Sequence, residues 1–186
     1  VTPSSLTYSS VVSRDSLRIA LTIAALNGLD VLACDIQHAY LTAPCREKIW
    51  MVAGPEFGSD AGKTMVVVRA LYGLKSSGAA FRAFLGETIH NMGFRPSLAD
   101  PDVWMRPATK ADGQECFECT LLCADDVLCI SENPETMMQT GVGKHFELKE
   151  ESTGPPKTCL VGHLKKVTME NGGKAWSFSS SQCVQA

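Results

Sequence analysis

Two adjacent aspartates interrupt an apolar run in the stretch "LLCADDVLCI" (121–130). Such a run is typical of a buried strand, where an ionised carboxylate without a partner is costly and two neighbouring carboxylates repel each other. The pattern therefore predicts a hairpin with Asp125 and Asp126 at its tip, where water, a nearby cation or a bound metal offsets the charge. This hairpin is the strongest constraint in the sequence on how the chain folds.

Two interpretations of the pair remain open when it is taken alone: an ordinary polar turn and a functional site. Two-residue hairpin turns favour Gly or Asn, and Asp-Asp is an unusual choice for them. A third carboxylate, Asp35, ends another apolar strand, "VLACD" (31–35). If the two strands are neighbours in one sheet, the three carboxylates converge, and oxygen ligands of this kind suit Mg²⁺. A pair of such ions about 4 Å apart serves phosphoryl displacement in polymerases and nucleases.

Composition narrows the class of protein. The chain has 186 residues, 45% of them hydrophobic, and a net charge of −3. This length suits one compact domain, and no apolar stretch reaches the roughly 18 residues needed to span a bilayer, so no membrane partner is expected. A self-sufficient nucleic-acid binder normally carries a basic face, so the negative net charge is a deficit that any nucleic-acid function must explain.

The eight cysteines are expected to be free thiols, because a core of this size needs no disulfides. Cys116 and Cys119 are not expected to share a zinc ion. On a strand, positions three residues apart point to opposite faces, whereas zinc ligands must converge on one point.

Periodicity and turn residues predict an α+β fold, an antiparallel sheet with helices packed on one face. Ser13 is a suitable N-cap and Gly28 a suitable stop for a first helix, and 77–93 has the apolar stripe of a second. A weaker third helix is expected over 133–146. The predicted strands are 30–36, 47–52, 64–70, 102–106, 116–123 and 127–131, followed by a hairpin across "ENGG" (170–173).

Four segments occur in the order found in one family of polymerases. They are "TYSSVVSRDSLRIALTIAALNGLDVLACDIQHAYLTAPCREKIWM" (7–51), "VRALYGLKSSGAAFRAFL" (68–85), "GFRPSLADPDVWM" (93–105) and "LLCADDVLCIS" (121–131). With them the chain resembles, over nearly its whole length, the palm of the reverse transcriptase of copia-type LTR retrotransposons, together with part of the fingers. The specific motifs are "ALYGLK" and Asp-x-x-x-Ala-Tyr-Leu; the paired aspartates alone are not specific.

The resemblance implies a catalytic triad of Asp35, Asp125 and Asp126. Asp35 and Asp125 would be the main metal ligands, Asp126 would complete the acidic site, and the carbonyl of Ile36 would be a further ligand. The implied cofactors are two Mg²⁺ ions, with Mn²⁺ as the alternative. The implied activity is that of an RNA-directed DNA polymerase, which joins a primer 3′-hydroxyl to the α-phosphate of a deoxynucleotide.

The resemblance also implies four residues at the nucleotide. Tyr40 corresponds to an aromatic residue under the sugar of the incoming nucleotide, where a flat ring excludes a ribose 2′-hydroxyl by bulk. Tyr72, Gly73 and Lys75 would lie beside the template base and the incoming nucleotide; glycine permits close backbone approach, and lysine can reach a phosphate. Without the resemblance, Tyr40 is equally well interpreted as a core tyrosine and Lys75 as a solvated lysine. The expected partners are an RNA or DNA template with its primer and deoxynucleoside triphosphates.

The chain departs from the family pattern at the aspartate pair, where Cys123 and Ala124 replace Tyr and a residue that is usually Val. Cysteine also stands at four other tyrosine positions: Cys116, Cys119, Cys159 and Cys183. One base transition converts a tyrosine codon into a cysteine codon. The pattern therefore indicates a decaying copy of an element.

The resemblance further implies a basic fingers strand before Tyr8, and thumb and RNase H regions after Ala186, none of which the sequence contains. The remainder of a Pol polyprotein is accordingly an expected partner, in cytoplasmic virus-like particles or in the nucleus. Two alternatives remain open: an inactive relic with the same fold, and a metal-dependent phosphodiesterase that cleaves nucleic acid without nucleotides. A protein-interaction domain would leave "ALYGLK" and the strand-end aspartates unexplained.

Overall fold

The computed structural model describes residues 7–124, 126–160 and 162–179. The chain separates into two compact units. The first contains Val1–Ser9 and His38–Glu87, and the second contains Ser10–Gln37 and Thr88–Ala186. Within the described ranges, no helix is long and apolar enough to cross a membrane.

Short helices and strands make up both units. The helices are α1 (Arg14–Leu26), α2 (Ala39–Thr42), α3 (Ser77–Asn91) and α4 (Pro134–Thr136). The strands are β1 (Asp30–Asp35), β2 (Trp50–Val52), β3 (Thr64–Val66), β4 (Arg95–Pro96), β5 (Val103–Thr109), β6 (Glu115–Cys123), β7 (Asp126–Ser131), β8 (Thr158–Cys159), β9 (Gly162–Thr168) and β10 (Lys174–Ser179). The boundary between the two units falls within α3.

The second unit is built on a five-stranded antiparallel sheet with the strand order β1-β7-β6-β5-β4. β6 and β7 form the hairpin expected around the aspartates, with Leu121 opposite Leu128 and Cys123 opposite Asp126. β1 pairs antiparallel with β7 along its whole length. The predicted α+β architecture is confirmed, as is the predicted adjacency of the two strands that carry the carboxylates.

Helix α1 covers one face of this sheet. Ser13 caps the helix by accepting a hydrogen bond from the Ser16 N–H (3.1 Å), and the chain leaves it at Gly28, whose φ of 64° glycine adopts without strain. Both ends therefore match the prediction. Leu17 and Leu21 are buried in a core cluster, called here the α1 cluster. Its other members are Val12, Ala20, Ala24, Leu29, Val31, Val103, Cys119, Leu121, Cys123, Leu128, Ile130, Cys159 and Leu164.

The opposite face of the sheet is buried as well. Successive residues of a strand point to alternate faces, yet every β7 residue after Asp126 is buried. Val127 and Cys129, which alternate with the α1-cluster members Leu128 and Ile130, are 0% exposed. Strand β7 is thus covered on both faces, where the sequence predicted one covered face of the sheet. A strand that is apolar at every position has the pattern of a doubly covered strand.

The predicted third helix, 133–146, is interrupted. Asn133 caps its first turn, α4, by accepting a hydrogen bond from a backbone N–H three residues on, but a π-helical turn follows over Met137–Gly141. Gly141 and Gly143 both lower the helix propensity of this stretch. A regular α-helix therefore does not extend through it.

Strands β8, β9 and β10 form a separate three-stranded antiparallel sheet in the order β10-β9-β8. The predicted hairpin across "ENGG" is confirmed, with Gly172 at a φ of 79° in its turn. The guanidinium of Arg18 on α1 lies over the ring of Phe178 on β10, 5.4 Å from its centroid. This cation–π contact joins α1 to the C-terminal sheet.

The first unit contains the β2–β3 hairpin, with Trp50 opposite Val66. The hairpin is shorter than the predicted strands, because β2 and β3 each keep only three paired residues. Gly58 in the connecting stretch has a φ of 58°. In α3, Phe81 and Leu85 are each 1% exposed, as the predicted apolar stripe requires.

Candidate active site

Asp35 and Asp126 face each other across two adjacent strands. Their Cα atoms are register partners in the pairing of β1 with β7, and Asp126 is also the partner of Cys123 on β6. Directly opposite residues in antiparallel strands point to the same face, with Cβ atoms about 4.5–5.5 Å apart. The three side chains therefore form one row at the end of the sheet, on the face to which Leu128 of the α1 cluster belongs.

Asp126 does not lie in the hairpin turn as predicted. β6 ends at Cys123 and β7 begins at Asp126, which places Asp126 on the strand. Ala124 has a φ of 62°, a left-handed conformation that costs an L-residue about 1–2 kcal/mol. Asp125, the predicted second metal ligand, lies outside the described residues. Ladder pairing across to β6 keeps Asp126 on the strand and overrides the local turn preference.

The edge of β1 that does not pair with β7 is covered by residues 147–154, called here the edge segment. Ala33 forms an antiparallel bridge with Gly154, and Ile36 forms another with Leu148. The end of β1 is therefore held on both sides, by β7 and by the edge segment.

The hydrogen bonds of the bridge at Ile36 do not involve its carbonyl. The two hydrogen bonds are made by its neighbours: Gln37 N–H donates to the Glu147 carbonyl at 2.8 Å, and Lys149 N–H donates to the Asp35 carbonyl at 3.0 Å. The side chain of Ile36 is buried. This arrangement is compatible with the further ligand that the sequence predicted at the Ile36 carbonyl, which stays a prediction.

The two carboxylate oxygens of Asp35 have different surroundings. Oδ2 lies 2.5 Å from Nζ of Lys149, whereas Oδ1 is buried and has no hydrogen-bond partner among the described residues. The Asp35 N–H donates to Oγ of Ser152 at 3.3 Å. The side chains of Asp35 and Lys149 are 23% and 48% exposed, and an ion pair of such exposure stabilises a fold by only about 0–1 kcal/mol. Its effect is therefore mainly on the position of the carboxylate.

The two carboxylates make the surroundings of the Cys34 thiol negative. Burial, together with the charges of Asp126 and Asp35, raises the pKa of the Cys34 thiol to about 12. Cys34 is therefore a neutral thiol at pH 7. Both carboxylates therefore act on this one buried neighbour.

A cavity of about 340 Å³ opens beside Asp126. Ala33, Leu128 and part of the edge segment contribute to its lining. Its volume lies at the lower end of the range of about 300–1,000 Å³ for small-ligand sites. Space is thus present next to the candidate carboxylates.

Two of the three predicted carboxylates, Asp35 and Asp126, are described by the structure. Within the part of the chain that the structure describes, no group of three or more His, Cys, Asp or Glu side chains is arranged to hold one. The predicted set includes Asp125, which is not described. The two remaining carboxylates fit a hard divalent cation, because Asp35 and Asp126 lie opposite each other and Asp35 has a buried oxygen without a partner.

The four residues predicted at the nucleotide belong to the first unit. The rings of Tyr40 and Tyr72 have centroids 4.8 Å apart, and Phe81 lies 6.0 Å from Tyr40. These separations are those of interacting aromatic pairs. Tyr40 is half-buried, and Tyr72 is 59% exposed.

Gly73 and Lys75 follow Tyr72 in the turn before α3. Gly73 has a φ of 93°, which glycine adopts readily and other residues do not. Lys75 is exposed. The structure therefore pairs the two predicted tyrosines and leaves the predicted lysine in solvent, and the roles of all four at a nucleotide stay predictions.

Sequence reasoning missed Lys149 and Ser152 as neighbours of Asp35. They are 114 and 117 residues away along the chain, in "ELKEES" (147–152), which has neither strand periodicity nor a turn signal. The one available signal was a single lysine in an otherwise acidic stretch. Such a signal does not identify the distant carboxylate with which the lysine pairs.

The chain is similar in sequence to known proteins of one family. The family described as reverse transcriptase (RNA-dependent DNA polymerase) matches residues 5–155. The chain is similar to the retrovirus-related Pol polyprotein from transposon TNT 1-94 of Nicotiana tabacum, with 27% identity over 174 residues, which is 91% of this chain and 12% of that protein.

Two further relatives are the retrovirus-related Pol polyproteins from transposons RE1 and RE2 of Arabidopsis thaliana, 25% and 24% identical over 148 and 149 residues. Each alignment covers 77% of this chain and 10% of the relative. The chain therefore spans about a tenth of the length of the curated relatives that it matches. No solved structure gives a significant match.

Proposed function

Because the chain belongs to the reverse transcriptase (RNA-dependent DNA polymerase) family, we propose that it is the polymerase core of a retrotransposon Pol polyprotein, with the second unit as its palm and the first as part of its fingers. The reaction is attack of a primer 3′-hydroxyl on the α-phosphate of a deoxynucleoside triphosphate, with release of pyrophosphate. An RNA or DNA template directs the choice of nucleotide. The similarity to transposon Pol polyproteins supports this assignment.

One observation carries the proposal: Asp35 and Asp126 are register partners on adjacent strands, although 91 positions separate them in the sequence. Carboxylates that face each other at a sheet end are destabilising unless a cation lies between or beside them. The fold nevertheless keeps them together. Lys149 supplies one positive charge at Asp35, and a site that binds divalent cations explains why the fold keeps a second carboxylate beside it, whereas a polar turn does not.

In this proposal Asp35, Asp125 and Asp126 are the catalytic carboxylates. Asp35 and Asp125, with the carbonyl of Ile36, would hold two Mg²⁺ or Mn²⁺ ions, and Asp126 would complete the acidic site. Two divalent ions bound there supply charge neutralisation at the attacking and leaving oxygens of phosphoryl transfer.

The protein's own contribution is to fix the carboxylates. β1 is hydrogen-bonded to β7 on one side and to the edge segment on the other. Such support keeps Asp35 in a single orientation before substrate arrives, which lowers the entropy cost of assembling the reacting groups.

The nucleotide-binding part of the proposal uses the first unit. Tyr40 would pack against the sugar of the incoming nucleotide and exclude a 2′-hydroxyl, and its contact with the Tyr72 ring at 4.8 Å would hold it in place. Gly73 would allow the backbone to approach the template base, and Lys75 would contact a phosphate. The partners are then a primer–template, deoxynucleoside triphosphates and the remainder of the polyprotein.

The test is primer extension by a chimera in which this chain replaces the matching segment of the tobacco TNT 1-94 polyprotein. With an RNA template, Mg²⁺ and deoxynucleotides, the chimera is expected to extend the primer. Asp126→Asn should lower the rate by at least about a hundredfold, because it removes a carboxylate from the charged centre of the reaction. The control is Asp112→Asn, which changes the same residue type at an exposed loop position and should leave extension unchanged.

Each alternative predicts a different result. Cleavage of nucleic acid without deoxynucleotides, lost in Asp126→Asn, would favour the phosphodiesterase. A folded chimera that binds Mn²⁺ but extends no primer would favour the inactive relic. Full extension by the Asp126→Asn chimera would contradict the proposed catalytic site.

A further inference from the structure

Lys149 contacts Asp35 through both its main chain and its charge. Its ammonium lies 2.5 Å from Oδ2 of Asp35, and its backbone N–H donates to the Asp35 carbonyl at 3.0 Å. The hydroxyls of Ser152 and Thr153 donate to the Lys149 carbonyl at 3.0 and 3.1 Å. The main chain of Lys149 is thus fixed beside β1. Formation of the ion pair with Asp35 therefore costs less conformational entropy than formation of an ordinary surface ion pair.

Lys149 and a metal ion compete for the same carboxylate. A divalent cation bound to Asp35 would have to take Oδ2 from the ammonium or lie a few ångströms from its positive charge. Like charges at such a distance repel strongly, more so where water is partly excluded. The carboxylate of Asp35 is only 23% exposed, so water screens this repulsion incompletely.

We propose that Lys149 is a positioning residue that serves as a resident cation at Asp35. In the metal-free protein it orients the carboxylate and offsets its charge, and it weakens the binding of the divalent cation that replaces it there. This inference rests on the proposed function, because it requires a metal ion at Asp35. A competing cation and a purely structural lysine have opposite effects on the affinity for the metal ion. Loss of a structural lysine would loosen Asp35 and weaken metal binding, whereas loss of a competing cation strengthens it.

The same strand offers a matched control. Asp30 begins β1 as Asp35 ends it, and Nζ of Lys166 lies 2.7 Å from Oδ1 of Asp30. The six residues of β1 separate the two aspartates by about 17 Å, roughly twice the Debye length at physiological salt. Replacing Lys166 therefore removes one charge from the chain and one ion pair from β1 without changing the field at Asp35.

The test is binding of Mn²⁺ to the purified 186-residue chain, measured from the electron paramagnetic resonance signal of free Mn²⁺ with no nucleotide present. Lys149→Met and Lys149→Gln should each lower the dissociation constant about tenfold, as expected for removal of one charge beside a divalent ion. Lys149→Arg keeps the charge, and Lys166→Met removes a distant one, so both should stay within about twofold of the unmodified chain. Asp35→Asn should abolish the binding.

Circular dichroism and thermal unfolding in the absence of metal accompany each measurement. Lys149→Met should unfold at a lower temperature without metal and gain more from added Mn²⁺ than the unmodified chain does. The use of two substitutions keeps the test valid if one of them fails to fold.

The failures of the two proposals are distinguishable. Mn²⁺ binding that depends on Asp35 but is unchanged or weaker in both Lys149→Met and Lys149→Gln overturns the role of Lys149 and leaves the metal site standing. Binding that survives Asp35→Asn, or that no variant shows, overturns the metal site and this inference with it.

Discussion

The sulfur atoms of Cys123 and Cys159 lie 3.1 Å apart in the core of the second unit. Cys123 ends β6, directly before the turn that leads to the candidate carboxylates, and Cys159 ends β8. Both are free thiols, 5% and 3% exposed. The family resemblance predicts a tyrosine at both positions, so two positions that are predicted to be substituted are in contact. The pair links the hairpin of the candidate site to the C-terminal sheet.

Oxidation is expected to join Cys123 and Cys159 in a disulfide. Their hydrogen bond and burial raise the pKa of the Cys123 thiol, while the same hydrogen bond lowers the pKa of Cys159, so Cys159 is the first to react as a thiolate. With the diazene oxidant diamide, the Cys159 sulfur adds to the N=N bond. Cys123 then displaces the hydrazine, which carries away both thiol hydrogens. Peptide mass spectrometry without reductant should find these two residues linked.

Single replacements provide the control for this oxidation. Cys159→Ala and Cys123→Ala should each abolish the linked peptide, whereas Cys45→Ala, in the first unit, should not affect it. A disulfide between other cysteines, or no disulfide under conditions in which the chain stays folded, would contradict the contact.

Replacement of Ala124 by glycine is expected to stabilise the chain. Ala124 has a φ of 62°, and removal of its Cβ relieves strain of about 1–2 kcal/mol while the greater freedom of glycine in the unfolded chain costs about 0.5–1 kcal/mol. Ala124→Gly should therefore raise the free energy of unfolding by up to about 1.5 kcal/mol in urea denaturation. Ala108→Gly, within strand β5, should lower it. A decrease in both variants would show that the turn is not strained at Ala124.

Asp100 is expected to make the stability of α1 depend on pH. Its carboxylate accepts hydrogen bonds from the Ser13 N–H at 2.9 Å and the Asp102 N–H at 3.0 Å. Burial alone would raise the pKa of Asp100, but these bonds and one from the Ser16 side chain outweigh it and lower the pKa. The stabilisation is therefore complete above the ordinary aspartate pKa of about 3.9 and is lost as pH falls through the lower folded value.

Asp100→Asn should consequently cost about 1–3 kcal/mol at pH 7, and the difference from the unmodified chain should shrink below about pH 4. Thermal unfolding between pH 3 and pH 7 measures this difference in stability. Asp15→Asn is the control, since its side chain is 87% exposed in the first turn of α1. A difference for Asp100→Asn that does not change with pH would contradict the hydrogen-bonded carboxylate.

The 186-residue chain by itself is expected not to polymerise DNA. Its net charge is −3, whereas binding of a duplex relies on neutralisation of phosphates by lysine and arginine. The chain also spans only 12% and 10% of two polyproteins that it matches. Primer extension on an RNA template with Mg²⁺ should therefore not exceed that of the Asp126→Asn variant, even at low salt. Robust extension that Asp126→Asn abolishes would show that the chain is sufficient.

The elements that were predicted correctly are those whose ends depend on residues close by in the sequence. Ser13 and Gly28 delimit α1 because a side-chain cap and a positive φ act within a few residues. The hairpin around the aspartates was predicted because two apolar runs flank a short polar break. The helix expected over 133–146 was predicted to be weak because of Gly141 and Gly143, and its α-helical part already ends at Thr136, before a π-helical turn.

The features that were not predicted depend on pairing between residues that are far apart in the sequence. Asp126 lies on β7 rather than in the turn because its ladder partner is Cys123, a choice that turn statistics do not contain. Lys149 contacts Asp35, which is 114 residues away along the chain, because backbone bridges hold the edge segment beside β1. The order of β1 beside β7 was anticipated only because strand-end carboxylates suggested convergence.

A divalent cation is expected to bind where Asp35 and Asp126 face each other. Paramagnetic broadening by Mn²⁺ in the amide spectrum of the ¹⁵N-labelled chain measures this binding residue by residue. The amide signals of Asp35, Ile36 and Asp126 should broaden first, and the double variant Asp35→Asn, Asp126→Asn should lose this broadening. Broadening centred on Glu132 and Glu135, with the signals of Asp35 and Asp126 unaffected, would contradict it.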